Sequence, residues 1–314
     1  MKDVALVGLP ASGKSTVFTA VSGRISQRGA TAAQAVVEVP DERLERIAEI
    51  YSSAKITRAQ VRLLDIAGLD QRALGEARAA DALAIVLRAF GADADPARDL
   101  DMFRTELTFA DLATVEKVTE RKKIDPSEGD VAKRAQEALH AGRWLSEEEW
   151  SDEERRIVSL WTPLTLKPSV NVINTEEPTP SDLGVVICGA LEAEATELPE
   201  DEAAVLLKEF GIEESAAGRF VAAAYNALGL LVFYTGGPTE AHAWECKRGS
   251  KAPQAAGAIH SDFERAFIRA ERVNYDDLVA CGSEQAARDK GLLRVEGKDY
   301  VVQDGDLLNI LHGA

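Results

Sequence analysis

Apolar and polar positions follow two periods along the first two thirds of the chain. Val4-Ala5-Leu6-Val7 is a short unbroken apolar run that stops at Gly8, the pattern of a parallel strand buried on both faces. Residues 14–21 carry a helical pattern directly after it. Residues 61–65, 82–87, 169–173 and 184–188 repeat the strand signature, and the first of these runs ends in an acid. Helical stretches fall between them, as at residues 41–51, where Asp41 can cap and Leu44, Ile47 and Ile50 share a face. Strands alternating with helices predict a doubly wound, mostly parallel α/β sheet.

Between residues 101 and 162 the pattern becomes charged and helix-prone, with a turn signal at 124–129 separating two arms. Leu107, Ala110 and Val115 are the packing positions expected on the first arm, and Ala132, Ala135 and Leu139 on the second. This stretch reads as a helical hairpin inserted into a sheet domain made of residues 1–100 and 163–227. From residue 228 the texture changes to short strands at 230–235, 293–296, 300–302 and 307–311, with a helix near 275–290. Breakers such as Gly236-Gly237-Pro238 and Asp304-Gly305-Asp306 separate them, and a small mixed β domain is expected at 228–314.

A chain of 314 residues is long enough to bury the cores of two or three such units. With 46% hydrophobic and 28% charged residues it has an ordinary globular balance. No apolar run approaches the roughly 18–20 residues of a membrane span. The N-terminus enters a strand without the apolar core of a secretion signal. Cys188, Cys246 and Cys281 are widely spaced and form no metal-binding pair, so reduced thiols in a cytoplasmic protein, with no membrane partner, are expected. The net charge of −17 argues against electrostatic coating of nucleic acid, and DNA is not expected as a partner. The imbalance is uneven, since residues 228–314 hold 10 basic against 13 acidic side chains. That part is nearly neutral, so a local patch on it is compatible with RNA or a ribosome.

The chemistry concentrates at Gly8-Leu9-Pro10-Ala11-Ser12-Gly13-Lys14-Ser15, which fits G-x-x-x-x-G-K-[ST] between a strand and a helix. Four residues between the glycines wrap the backbone so that the amides of Pro10's successors, Ala11 to Thr16, face a polyphosphate. Lys14 supplies a point charge to the β- and γ-phosphates, Ser15 a hydroxyl for Mg²⁺, and the helix its positive end. Asp65-Ile66-Ala67-Gly68 ends an apolar strand where such proteins hold a metal-directed acid and a γ-phosphate-sensing glycine. Leu69 follows, where many related GTPases carry a water-orienting glutamine. A leucine cannot hydrogen-bond water, so either hydrolysis is slow or the backbone or another group positions the water. Asn174-Thr175-Glu176-Glu177 occupies the place of the base-reading Asn-Lys-x-Asp motif, with Glu177 in place of the aspartate.

Together these motifs resemble those of the Obg-like ATPases (YchF), a branch of the translation-factor-related GTPases, and the resemblance runs nearly end to end. The phosphate loop, the Asp65–Leu69 stretch, Thr165-Leu166-Lys167-Pro168 and Asn174 with Glu177 are similar to family segments, and the last pair implies ATP over GTP. Ala190-Leu191-Glu192-Ala193 is similar to the final nucleotide-loop segment, which brings Gly189, Ala190 and Leu191 into the expected site. Ala252–Gly257, Ile259–Glu264, Phe267–Ala270 and Glu296–Tyr300 resemble the family's C-terminal TGS domain, a ubiquitin-like β-grasp unit. The resemblance implies ATP as substrate, Mg²⁺ as cofactor and a ribosome as partner, with Lys14 and Gly68 in catalysis.

Several positions depart from the family. Ala11 replaces an asparagine linked to potassium binding in related enzymes, and Ile85 aligns with a histidine linked to hydrolysis. The first switch is not recognisable, leaving Thr31 as its candidate metal-ligating threonine beside Ser15 and Asp65. The second switch, after Leu69, is shortened. Three readings therefore stand: slow ATP hydrolysis, a nucleotide-holding adaptor for ribosome, RNA or protein, and a GTPase. His242, His260 and His312 read as structural, and the acidic run at 147–154 as a solvated helix face.

Overall fold

The computed structural model describes residues 1–24, 33–121 and 123–313. Its strands, in chain order, are β1 (Lys2–Val7), β2 (Ala33–Glu38), β3 (Ile56–Thr57), β4 (Gln60–Asp65), β5 (Ala82–Ala89), β6 (Ser169–Thr175), β7 (Val185–Ile187), β8 (Leu230–Thr235), β9 (Ala241–Lys247), β10 (Phe267–Asn274), β11 (Arg294–Glu296) and β12 (Asp306–His312). They divide between two compact units, Lys2–Val37 with Arg62–Ala224, and Met1 with Glu38–Val61 and Tyr225–Ala314.

The first unit holds a sheet in the order β2-β4-β1-β5-β6-β7. β1 pairs with β5, β5 with β6 and β6 with β7, all parallel. Parallel strands need crossovers, and helices on the faces cover the central strands from both sides. Val4, Ala5 and Leu6 in β1 and residues 82–87 in β5 are accordingly all buried, which is why they read as unbroken apolar runs. The carboxyl ends of β1, β4, β5 and β6 lie where the chain reverses strand order, the place where open α/β sheets hold ligands.

The helical stretch begins earlier than the composition change implies. Asp95 caps a 24-residue helix, Pro96–Thr119, and a second helix spans Pro126–His140. Asp125 accepts from the Ser127 amide and Pro126 occupies the first turn, so the turn signal at 124–129 is a helix start. The first helix serves two cores. Phe103 and Leu107 pack with the sheet, while Val115 and Val118 pack with Ala132, Ala135, Leu139 and Trp161 of the hairpin. The acidic run is not one helix face: Glu147 lies in a 3-10 turn and pairs with Arg104, and Glu154 closes a capping box on Ser151.

In the second unit the sheet order is β11-β10-β12-β8-β9-β3. β8 and β9 form an antiparallel hairpin, β12 lies parallel to β8, and β10 is antiparallel to both β12 and β11. A hairpin, a crossing helix (Ala252–Ile259) and a last strand inserted beside the first make this a β-grasp. Gly282, at φ 75, ends one helix at Cys281, and Ser283 caps another, so the expected helix at 275–290 is two. Residues 300–302 contribute only a bridge between Val301 and Lys251. Residues 38–61, which the sequence pattern groups with the first sheet, belong to this unit. There the helix Glu42–Tyr51 packs on β9, and β3 extends the sheet edge. His312 stacks on Phe263 and His242 on Trp244, at 4.1 and 3.6 Å between ring centres. His260 caps the short helix after it.

Candidate functional site

The loop that follows β1 is closed on itself by its own lysine. Lys14 Nζ donates to the carbonyls of Gly8 and Leu9, each at 3.0 Å, and the Ser12 amide donates back to Leu9. Pro10 and Ala11 are exposed at the loop's crest, and Ser12 is buried beneath it. Burial pulls the Lys14 ammonium below its usual pKa of 10.5, with the Asp65 charge opposing that shift. Gly13 (φ 85) opens the helix Lys14–Ser22, whose first turn carries no acidic side chain to compete with an anion.

Ser15 Oγ donates to Asp65 Oδ2 at 2.8 Å, across 50 residues of sequence. Asp65 is buried at the end of β4, so two hard oxygen donors meet at the mouth of the phosphate loop. That donor chemistry fits Mg²⁺, which is commonly held by one or two protein oxygens together with substrate phosphates. Among the described residues no cluster of three or more His, Cys, Asp or Glu side chains forms an all-protein metal cage. Thr31 lies outside the described residues. Gly68 (φ 84) stands in open space three residues beyond Asp65. Leu69 packs against the sheet's apolar core, and Ile85 is only 1% exposed within that core. Neither side chain is available to hold a water.

Asn174 holds two segments of the site together. Its Nδ2 donates to the Ser12 carbonyl at 3.0 Å, and its Oδ1 accepts the Gly189 amide at 3.2 Å. The side chain is 4% exposed and ties the phosphate loop to the segment after β7. This close approach explains two glycines: a Cβ on Gly13 or on Gly189 would overlap the Asn174 amide. Asn174 is thus a clamp between the phosphate loop and the segment after β7. Glu177 is exposed two residues beyond β6. Ala190 is exposed and Leu191 half-buried in the helix Gly189–Ala195.

Phe90 was not singled out by any motif. It follows directly on β5, and its ring edge lies 3.6 Å from where a Cβ on Gly13 would sit, on the flank of the phosphate loop. An aromatic just past the carboxyl end of a central strand was the available signal.

Comparison with known proteins finds relatives along nearly the whole chain. Residues 3–175 match the family model of the 50S ribosome-binding GTPases. Residues 230–312 match the model of the YchF GTPase C-terminal domain, described as a protein of unknown function. The ribosome-binding ATPase YchF of Bacillus subtilis is 35% identical over 97% of this chain and 97% of its own. The chain belongs to the YchF family. The Escherichia coli O157:H7 YchF is 33% identical over 98% of both chains, and Obg-like ATPase 1 of Schizosaccharomyces pombe 31% identical over 96% of this one. The solved structure of the S. pombe YchF GTPase superposes with a TM-score of 0.82 at 29% identity, covering 99% of this chain and 97% of that one. The chain thus matches YchF proteins over nearly their whole length.

Proposed function

We propose that this YchF member binds ATP with Mg²⁺ and hydrolyses it slowly, working as a ribosome-associated switch in the cytoplasm. The observation that carries the reading is the preformed phosphate loop, with Lys14 at its centre, the Asn174 clamp behind it and the Ser15–Asp65 pair at its mouth. Ser15 directly, and Asp65 behind it, would hold the metal, which when bound neutralises charge on the β- and γ-phosphates. The amides of residues 11–16 and Lys14 bind the phosphates, the Gly68 amide senses the γ-phosphate, and Glu177 reads the base beside Phe90. Because phosphoryl transfer rests on positioning and electrostatics, Lys14→Ala is expected to abolish measurable ATP turnover in the purified protein. Undiminished turnover in that variant overturns the assignment.

The relatives carry the name ribosome-binding ATPase, which supports a ribosome as partner. Among the described residues no helix is long and apolar enough to cross a membrane. A second reading, a nucleotide-holding adaptor without useful turnover, is favoured by the burial of Leu69 and Ile85. It predicts that the wild-type protein turns over ATP no faster than Lys14→Ala, with or without ribosomes. Titration with ATP, GTP and their diphosphates tests the adenine preference, which equal affinities would refute.

A further inference from the structure

Behind the site runs a chain of hydrogen bonds that no motif announces. The helix Ala216–Ala227 carries Arg219, whose Nη2 pairs with Glu192 Oε2 and whose Nη1 donates to the carbonyl of Val186 in β7. Its Nε donates to the Glu214 carbonyl at 3.1 Å, so all three guanidinium nitrogens are engaged. The other oxygen of Glu192 accepts the Cys188 amide at 2.8 Å. Glu192 is 2% exposed, a carboxylate held inside the protein by one cation and one amide. The next amide along, that of Gly189, reaches Asn174, and Asn174 reaches Ser12 in the phosphate loop.

A buried ion pair contributes little net stability, because apolar side chains of similar volume do as well or better. What it supplies is direction. The forked guanidinium fixes β7 through Val186 and the following segment through Glu192 at once, so the Gly189 amide points at Asn174. We infer that Arg219 is a positioning residue of the nucleotide site: through Glu192 and Asn174 it sets the base-side segment 188–191 against the phosphate loop. This rests on the reading of the loop as a nucleotide site.

The test is nucleotide titration of full-length protein carrying Arg219→Ala, Arg219→Lys, or the pair Arg219→Met with Glu192→Gln. The double variant removes both charges together and leaves no stranded carboxylate in the interior. Arg219→Ala and the double variant are expected to raise the Kd for ATP about tenfold, the effect of losing one well-made hydrogen bond. They should also narrow the ratio between ATP and GTP affinities. Arg219→Lys should recover part of the affinity, since an ammonium reaches Glu192 but cannot fork to Val186. ATP affinity and selectivity unchanged from wild type in the double variant overturn the inference, as does a lowered Tm with unchanged selectivity. Lys14→Ala is the control: if it too binds ATP like wild type, the site itself is misassigned; if it alone fails to bind, only the role of Arg219 falls.

Discussion

Lys14 couples the electrostatics of the phosphate loop to pH. Its ammonium is half-buried and bonded to two loop carbonyls, and burial lowers its pKa from 10.5. The folded form therefore releases its proton earlier than the unfolded chain does. Between the lowered pKa and 10.5 the unfolded state holds more protons, so this group's contribution to stability rises with pH there. Phosphate binding needs the charged form and runs the other way. ATP affinity is expected to fall as pH climbs through the lowered pKa, beginning below the range of an ordinary lysine. Isothermal titration from neutral pH upward measures it, and Lys14→Arg should lose that alkaline limb even if it binds more weakly overall. Ala11 is a second residue-level case, because it adopts φ 63, a left-handed conformation. An L side chain there costs about 1–2 kcal/mol, whereas glycine and asparagine tolerate it. Ala11→Gly is accordingly expected to stabilise the nucleotide-free protein by about 1 kcal/mol, after the entropy glycine adds to the unfolded chain. Urea denaturation reads this directly, and an unchanged midpoint would mean that the strain is relieved elsewhere in the loop.

At the scale of elements, β1 and β5 were legible because strands covered on both faces are apolar nearly throughout, and β4 and β6 because their valines, leucines and isoleucines cluster in short runs. Others were hidden for physical reasons. β9 turns the small residues Ala241 and Ala243 inward, which leave almost no hydrophobic signal. β10 buries Phe267, Ala270 and Val273, a spacing of three that hides the strand period, and a register shift between Phe267 and Arg269 accounts for its first interval. The phosphate loop was legible because its chemistry is contiguous, whereas the Asn174 clamp, Phe90 and Arg219 become visible only when distant segments meet. Asp111 belongs with these. Fully buried on the Pro96–Thr119 helix, it accepts the amides of Leu164 and Thr165 and the Thr165 hydroxyl, and it pairs with Arg78 at 2.7 Å. It thereby anchors the turn that leads into β6, the strand that carries Asn174. Asp111→Ala leaves three buried donors without their acceptor and takes the anion from the half-buried Arg78 guanidinium, a loss expected to cost about 3–5 kcal/mol. Asp111→Asn, which keeps the shape and part of the acceptor capacity, should cost less. Equal denaturation midpoints for both variants and wild type would show that the helix and strand are held without it.

At the scale of the whole molecule, the C-terminal unit draws a structural part from the first fifth of the chain. Asp41 caps the helix Glu42–Tyr51 and accepts the hydroxyl of fully buried Tyr234, while Arg43 pairs with Asp304 at 2.7 Å. Tyr51 donates to Glu284 at 2.8 Å, and Gly236 leaves room for Tyr51 and Ile47 beside β8. Leu44 and Ile47 are fully buried here, each worth about 1.5–3 kcal/mol of removal from water. A fragment of residues 228–314 keeps the β-grasp strand order yet loses this cover, exposing one face of β8 and β9 and leaving the Tyr234 hydroxyl without its acceptor. Such a fragment is expected to melt well below the same fragment with residues 38–61 joined through a flexible linker. Circular dichroism melts of the two compare them directly, and Asp41→Ala in the joined form should remove part of the gain, because a lost helix cap alone costs about 1 kcal/mol. If the shorter fragment melts as high as the joined one, then residues 38–61 lie against a β-grasp that is already stable alone. In that case their burial serves to tie two stretches of chain together, and the melts of the full-length Asp41→Ala protein should show no loss in the C-terminal transition.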